Sequence, residues 1–514
     1  MITFSGSLPN YRRRFVVTSG NSKRAGTLAP QGFRSPRHSC TNRRHTSLYL
    51  YNMIHTMTIR YWLSKDDFSV LQPDIEKSPH FNNAAHNAFL ANKKYAPKSK
   101  KEQNEYCGDD WLTFIISSGT IGIEHIKFFK QAKCPDDIYL DIMVDIEALI
   151  EGQRTINLFY PNYFGAKAVC MAYSAAILKI FPVLNQLSIS ANELINAEKT
   201  TLNKGLMVVP YLSHGKVVRL EYSNNFLAEN KELAMELMSN SIRPTSFWQK
   251  EYKENDNTYL GQGQKKKPTA IFKAYDKELK LLSDKNPVDS SLVDSAEKII
   301  RCEYGRNRFD SDWIIRNYGL PNSIGESPFI RSPLLLFDCH ACDMIFKKMY
   351  SRQIGLGDWF NKCEFSKKIP LVDKAILGPQ QKNTILRELA PIVSQARSIK
   401  AAFKKYQQED GYHIAKTARS PKGSEENFKK YLRLLDASDI QLLRIPDKRH
   451  VTYIENPIKN IVAAPSITRT LNYPLPELIK NNIVSILDYI WRECNRFNPT
   501  KINLSEVLAS PSIY

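Results

Sequence analysis

The stretch IFKAYDKELK, residues 271–280, reads with a period of two. Ala270, Phe272 and Ala274 fall on one side of a strand, and Lys273, Tyr275 and Lys277 on the other. The first face suits a core. The second sets a tyrosine between two lysines, an arrangement better matched to a phosphodiester than to an apolar interior. Two other stretches repeat the division. In VVRLEYS, Val218, Leu220 and Tyr222 oppose Arg219, Glu221 and Ser223; in IIRCEYG, Ile300, Cys302 and Tyr304 oppose Arg301 and Glu303. Each strand thus offers one face to a core and carries its chemistry on the other.

Working outward, IHTMTIRYWL is strand-like, DIYLDIMVDIEALIEG reads as a strand and a turn, and KSKKEQNEY as a polar loop. YFGAKAVCMAYSAAILKIFPVLNQL carries small and apolar residues at helical spacing, and ENKELAMELMSN is an amphipathic helix. NTYLGQGQKKKPTAIFKAYDKEL reads as a hairpin with Gly261 and Gly263 at its turn. Beyond about residue 330 the pattern becomes helical and charged, with AKTARSPKGSEEN as an exposed loop. The expected fold is α+β: a mainly antiparallel sheet with crossover helices over 53–330, then a mostly helical region over 331–514. No internal repeat is visible in the sequence.

The 514 residues carry a formal charge of +20, a field that attracts a polyanion, most often nucleic acid. Residues 1–52 hold nine Arg or Lys and no Asp or Glu, so they read as a disordered basic tail or a non-native stretch upstream of Met53 or Met57. Without them the balance is 20 − 9 = +11, so the basic character belongs to the rest of the chain. Nine scattered cysteines, an odd count, read as reduced thiols. No apolar run is expected to be long enough to span a bilayer.

If the three strands are neighbours, Tyr275 is joined by two carboxylates, two arginines and two lysines. Carboxylates hold a hard divalent cation such as Mg²⁺, and Arg and Lys take up developing negative charge. A tyrosine with an ordinary pKa near 10 needs such surroundings to act as a nucleophile. The plain alternative is a solvated sheet face laced with cross-strand Arg–Glu pairs.

Three matches follow one another along the chain: VVRLEYSNNF before a helix, FKAYDKEL, and IIRCEYGRNRFDSDWIIRNYGLPN. In this order they resemble the replication initiation proteins of filamentous phages, the gene II/X family. The stretch DIEALIEGQRTINLFY is similar to that family's strand before its first helix, and the hairpin to the tyrosine hairpin of Rep_trans-type rolling-circle plasmid initiators. The resemblance covers roughly residues 53–325. It implies a rolling-circle replication initiator that nicks and rejoins one DNA strand through a phosphotyrosine. Tyr275 would be the nucleophile and Lys277 a phosphate contact, with Glu221 and Glu303 as ligands of Mg²⁺ or Mn²⁺. Arg219, Arg301, Lys273 and the triplet Lys265, Lys266 and Lys267 would bind nucleic acid. The implied partners are duplex and single-stranded origin DNA and the host replication helicase and polymerase, with no membrane, in a bacterial cytoplasm. Glu221 stands where the family more often has Asp, and Asn225 where the plasmid relatives have a second acid. Two other functions fit the composition: a plasmid-mobilisation relaxase, and a non-catalytic DNA- or RNA-binding regulator.

Other features carry less. Cys339 and Cys342 in CHAC have the spacing of half a zinc site, but no partner pair follows. His214 stands alone in YLSHGK and reads as a surface or turn histidine, and Trp248 as a residue packed on the sheet.

Overall fold

The computed structural model describes residues 53–96, 99, 111–153, 155, 158, 163–200, 205–243, 248–254, 257–264, 267–283, 289–307, 332–337, 339–414, 421–462 and 473–495. The readings of residues 1–52 and of Lys265 and Lys266 lie outside them, as do those of the side chains of Lys267, Trp248, Cys339 and Cys342.

The strands of the main sheet are β1 (Met53–Leu63), β2 (Trp111–Ile116), β3 (Ile123–Gln131), β4 (Cys134–Asp145), β5 (Lys216–Leu227), β6 (Trp248–Glu254), β7 (Asn257–Gln264), β8 (Lys267–Asp276) and β9 (Ile299–Asn307). They form one sheet in the order β2-β3-β4-β1-β5-β9-β8-β7-β6. Every pairing in it is antiparallel.

Each half of the sheet is a strand, a helical connection and a meander that returns beside that strand. β1 leads into helix α1 (Lys65–Glu76), and a meander then returns β4 to the side of β1. β5 leads into the next such helix, Lys231–Asn240, and a second meander returns β9 to the side of β5. The likeness is coarse, since the first meander has three strands and the second four. It left no mark in the sequence because alternation constrains only the polarity of each position.

Alternation places most of the core where expected. Ala270, Phe272, Ala274, Ile300, Cys302 and Tyr304 are all within 1% of complete burial. Two β-bulges break the pattern. One, between Thr58 and Ile59, pairs Val217 with Ile59, so Val217 rather than Val218 enters the core. The other separates Ile54 from Thr56 and is the reason His55 leaves the core face. Gly261 and Gly263 lie within β7, and the hairpin turns between Gln264 and Lys267 instead.

Helices cover the core face. α1, started by a Ser64–Asp67 capping box, buries Phe68, Leu71 and Ile75. The turn expected after β4 is a short helix, α2 (Ile146–Glu151), ended by Gly152 in the left-handed region. α3 (Tyr163–Ile180) is long and apolar enough to cross a membrane by length and composition, which the sequence reading overlooked. Its Val169, Tyr173 and Ile177 are buried in the core. α4 (Lys231–Asn240) buries Leu233, Ala234 and Leu237.

Core packing crosses the change of composition near residue 330. Tyr350, on the helix Cys339–Gln353, packs its ring 5.8 Å from Phe226 and 6.2 Å from Phe272. Arg243, just after α4, makes a two-pronged ion pair with Asp436 at 2.7 and 2.6 Å. The segment read as a loop before residue 428 is helical from Pro421, the first residue of the helix Pro421–Ala437. That helix turns Phe428, Leu432 and Leu435 inward and leaves Lys430 and Arg433 exposed. His214 ends a tight turn as expected, yet it is fully buried, and burial lowers its pKa to about 4.

Candidate active site

The polar face of the sheet's central strands gathers the candidate residues. Register sets Lys273 opposite Glu303, and Tyr275 opposite Arg301. Across the next pairing Arg301 faces Asn225, and Glu221 faces Gly305. On its other side Glu221 faces Thr56 of β1. Alternation along four adjacent strands thus turns separate motifs into one cluster.

Tyr275 is 7% exposed, and its hydroxyl donates to Glu303 Oε1 at 2.5 Å. Lys273 Nζ donates to Glu221 Oε1 at 2.6 Å and to Glu303 Oε2 at 3.0 Å. Thr56 donates to the other Glu221 oxygen at 2.9 Å. Gly305 leaves room for this carboxylate, since a Cβ there would stand 3.3 Å from Glu221 Oε1. Arg301, fully buried, donates from Nε to Asn225 Oδ1 at 2.8 Å and brings Nη1 to 3.5 Å from Glu147 Oε2. Its guanidinium therefore organises the interior of the cluster and does not face solvent as a DNA contact would. Arg219 is about a third exposed, with Nη2 3.9 Å from Glu221 Oε1, and can reach a phosphate. Lys277 is not on the strand: Asp276 ends β8 and caps the helix Lys277–Leu282, whose first residue is a buried Lys277.

Three residues absent from the sequence reading complete the cluster. The first bulge of β1 brings His55 Nδ1 to 3.0 Å from Glu147 Oε1 and Nε2 to 3.7 Å from Glu303 Oε1. Asp145 ends β4 and caps α2 by accepting from the Ala148 amide at 3.1 Å, and Glu147 lies in the same first turn. Ligand atoms of His55, Asp145 and Glu147 all lie within 4.8 Å of one another. In the chain a strand–helix junction reading VDIEAL was the available signal. For His55 there was none, because strict alternation from Met57 and Ile59 assigns it to the core.

The electrostatics follow from burial and close charges. Burial pushes the Tyr275 hydroxyl well above its ordinary pKa, Glu303 adds to this, and Arg301 opposes it. Burial would raise the Glu303 carboxyl, but Lys273, His55 and Arg301 outweigh it and hold it well below the usual range. Burial by itself lowers His55; Glu147 and Glu303 reverse this and raise it to about 9. Lys277 is lowered to about 8, first by burial and then by Arg301. The resting site therefore holds a neutral tyrosine hydrogen-bonded to an ionised carboxylate.

The geometry tests the expected cation ligands. The ammonium of Lys273 bridges Glu221 and Glu303, where a shared cation would have to sit. His55, Asp145 and Glu147 fit a cation better. No family model, curated protein or solved structure matches the chain.

Proposed function

We propose that this protein initiates rolling-circle replication by nicking and rejoining one DNA strand at an origin. One observation supports the reading: the Tyr275 hydroxyl rests on Glu303, which Lys273 also pairs, and Arg301 stands opposite Tyr275 in the register. The Tyr275 oxygen attacks the scissile phosphorus, and its proton passes to Glu303. The bond from phosphorus to the 3′ oxygen breaks, and Lys277 supplies the proton that the leaving oxygen takes up. The products are a 5′-phosphotyrosine and a free 3′-hydroxyl. Reversal rejoins the strand because one phosphoester has replaced another. A divalent cation, when bound, polarises a non-bridging phosphate oxygen.

The test is incubation of the full chain with Mg²⁺ and supercoiled DNA carrying the origin of the replicon that encodes it. A protein–DNA adduct that survives denaturation is expected; intact supercoils without adduct would refute the reading. The burial of Tyr275 favours a second reading, a DNA-binding regulator whose ion-paired sheet face is structural. That reading expects origin binding without any adduct.

Two further outcomes are expected. Removing residues 1–52 leaves adduct formation unchanged in a gel assay; a folded but inactive truncation would make that basic stretch a DNA-binding arm. Lys277→Met lowers cleavage and raises stability at pH 7. The folded-state pKa of Lys277 lies below its ordinary value, so the native state binds fewer protons between about 8 and 10.5 and stability rises with pH across that window. At pH 7 the buried charge is a cost, worth up to about 3 kcal/mol. Urea melts check it, and a less stable variant would mean that the neighbouring acids need this cation.

A further inference from the structure

We infer that His55, Asp145 and Glu147 form the divalent-cation site of this protein, with Mn²⁺ a better occupant than Ca²⁺. The three donors come from separate elements: a bulge in β1, the last residue of β4, and the first turn of α2. A bulge re-aims one side chain, and here it turns an imidazole out of the core towards two carboxylates. Without it His55 would share the face of Met57 and Ile59.

A second observation points the same way. Glu147 is 4% exposed, and its Oε1 makes a buried ion pair with His55 Nδ1 at 3.0 Å that is not aligned as a hydrogen bond. Against burial, the pair raises the His55 pKa to about 9, and a divalent ion bound there would take the place of the imidazole proton between the two atoms. Arg301 lies against the other oxygen, Oε2, and so orients the carboxylate with Oε1 towards His55. Glu303 borders the trio through His55 Nε2 at 3.7 Å and touches Tyr275 at 2.5 Å. The cation would therefore lie beside the carboxylate that receives the tyrosine proton.

The donor set bears on the metal. Two carboxylates and one imidazole leave positions for water and phosphate oxygens, as an octahedral ion requires. The imidazole nitrogen suits a transition metal better than Ca²⁺, which prefers six to eight oxygens. Arg301 and Lys277 stand nearby, so part of the carboxylate charge is already balanced. An anionic phosphodiester would offset those cations and tighten metal binding.

The role beside Tyr275 rests on the nicking reading; the site itself does not. Mn²⁺ binding to the full chain, followed by electron paramagnetic resonance, tests it. Glu147→Gln and His55→Ala should each weaken binding at least tenfold, roughly the effect of disturbing a metal shell. Asp141→Asn should not, since that acid on the same sheet face already holds Arg60 at 2.7 and 2.8 Å. Circular dichroism verifies folding, and the isosteric Glu147→Gln decides if the alanine variant is misfolded. Binding unchanged in Glu147→Gln, or equally weakened in Asp141→Asn, would overturn the assignment. Undiminished adduct formation in chelator would overturn the cation's role beside Tyr275 while sparing the nicking reading. Mn²⁺ bound at the trio without any adduct would support the site and refute that reading.

Discussion

Tyr275→Phe should abolish covalent strand cleavage while affinity for origin DNA stays within a few-fold of the parent chain. The substitution removes one oxygen, the atom proposed to form the bond to phosphorus, and keeps the ring. Loss of a covalent nucleophile typically costs a thousandfold or more, roughly the scale at which residual catalysis comes from binding alone. The same change deletes the hydrogen bond to Glu303 but leaves that carboxylate paired with Lys273, so the sheet keeps its charge balance. Adduct yield on denaturing gels reads the effect, and filter binding reads the affinity. Undiminished cleavage would move the chemistry to another tyrosine. Tyr259 comes first, because it stands opposite Lys273 in the β7–β8 register, and Tyr252 follows opposite Tyr259.

The second large effect is expected at Glu303. Glu303→Gln keeps the shape and removes the charge that accepts from Tyr275 and Lys273. Cleavage should fall by about 10²-fold or more, the usual contribution of a positioned proton acceptor. The variant also has a signature in stability. Since the folded-state pKa of Glu303 is depressed, its stabilising contribution is present above the ordinary glutamate value and lost as pH falls through the folded one. The parent chain should therefore lose more stability between neutral pH and pH 3 than Glu303→Gln does. Equal acid sensitivity together with full cleavage would reduce Glu303 to one member of a structural ion-pair network.

How legible this site was depended on how strictly the backbone obeyed alternation. β8 and β9 are regular along Ala270–Asp276 and Ile300–Arg306, and there the sequence placed every core residue and every polar-face residue on the correct side. Lys277 kept its company but changed element, because Asp276 stops the strand by capping a helix. β1 and β5 are bulged, so Val218 was read as core when Val217 fills it. His55 was missed for the same reason. Asp145 and Glu147 were hidden differently. Their stretch looked like a turn, whereas the aspartate side chain caps α2 and its first turn carries the glutamate into the cluster. A bulge and a cap are local choices that a period-two reading cannot see.

The helical region was readable as helix because Phe428, Tyr431, Leu432 and Leu435 recur at helical spacing. Its packing on the sheet was not readable. Nothing in Tyr350 announces that its ring meets Phe226 and Phe272. Contacts of such long sequence separation leave no local periodicity.

The central claim is that the Tyr275 oxygen forms a covalent bond to DNA. Mass spectrometry of the denatured, nuclease-trimmed and protease-digested adduct tests it most directly. The account predicts one peptide from the Ile271–Lys280 stretch, heavier by a nucleotide residue joined through its 5′ phosphate to Tyr275. An adduct mapped to any other side chain, or cleaved DNA with both ends free and no modified peptide, would contradict it.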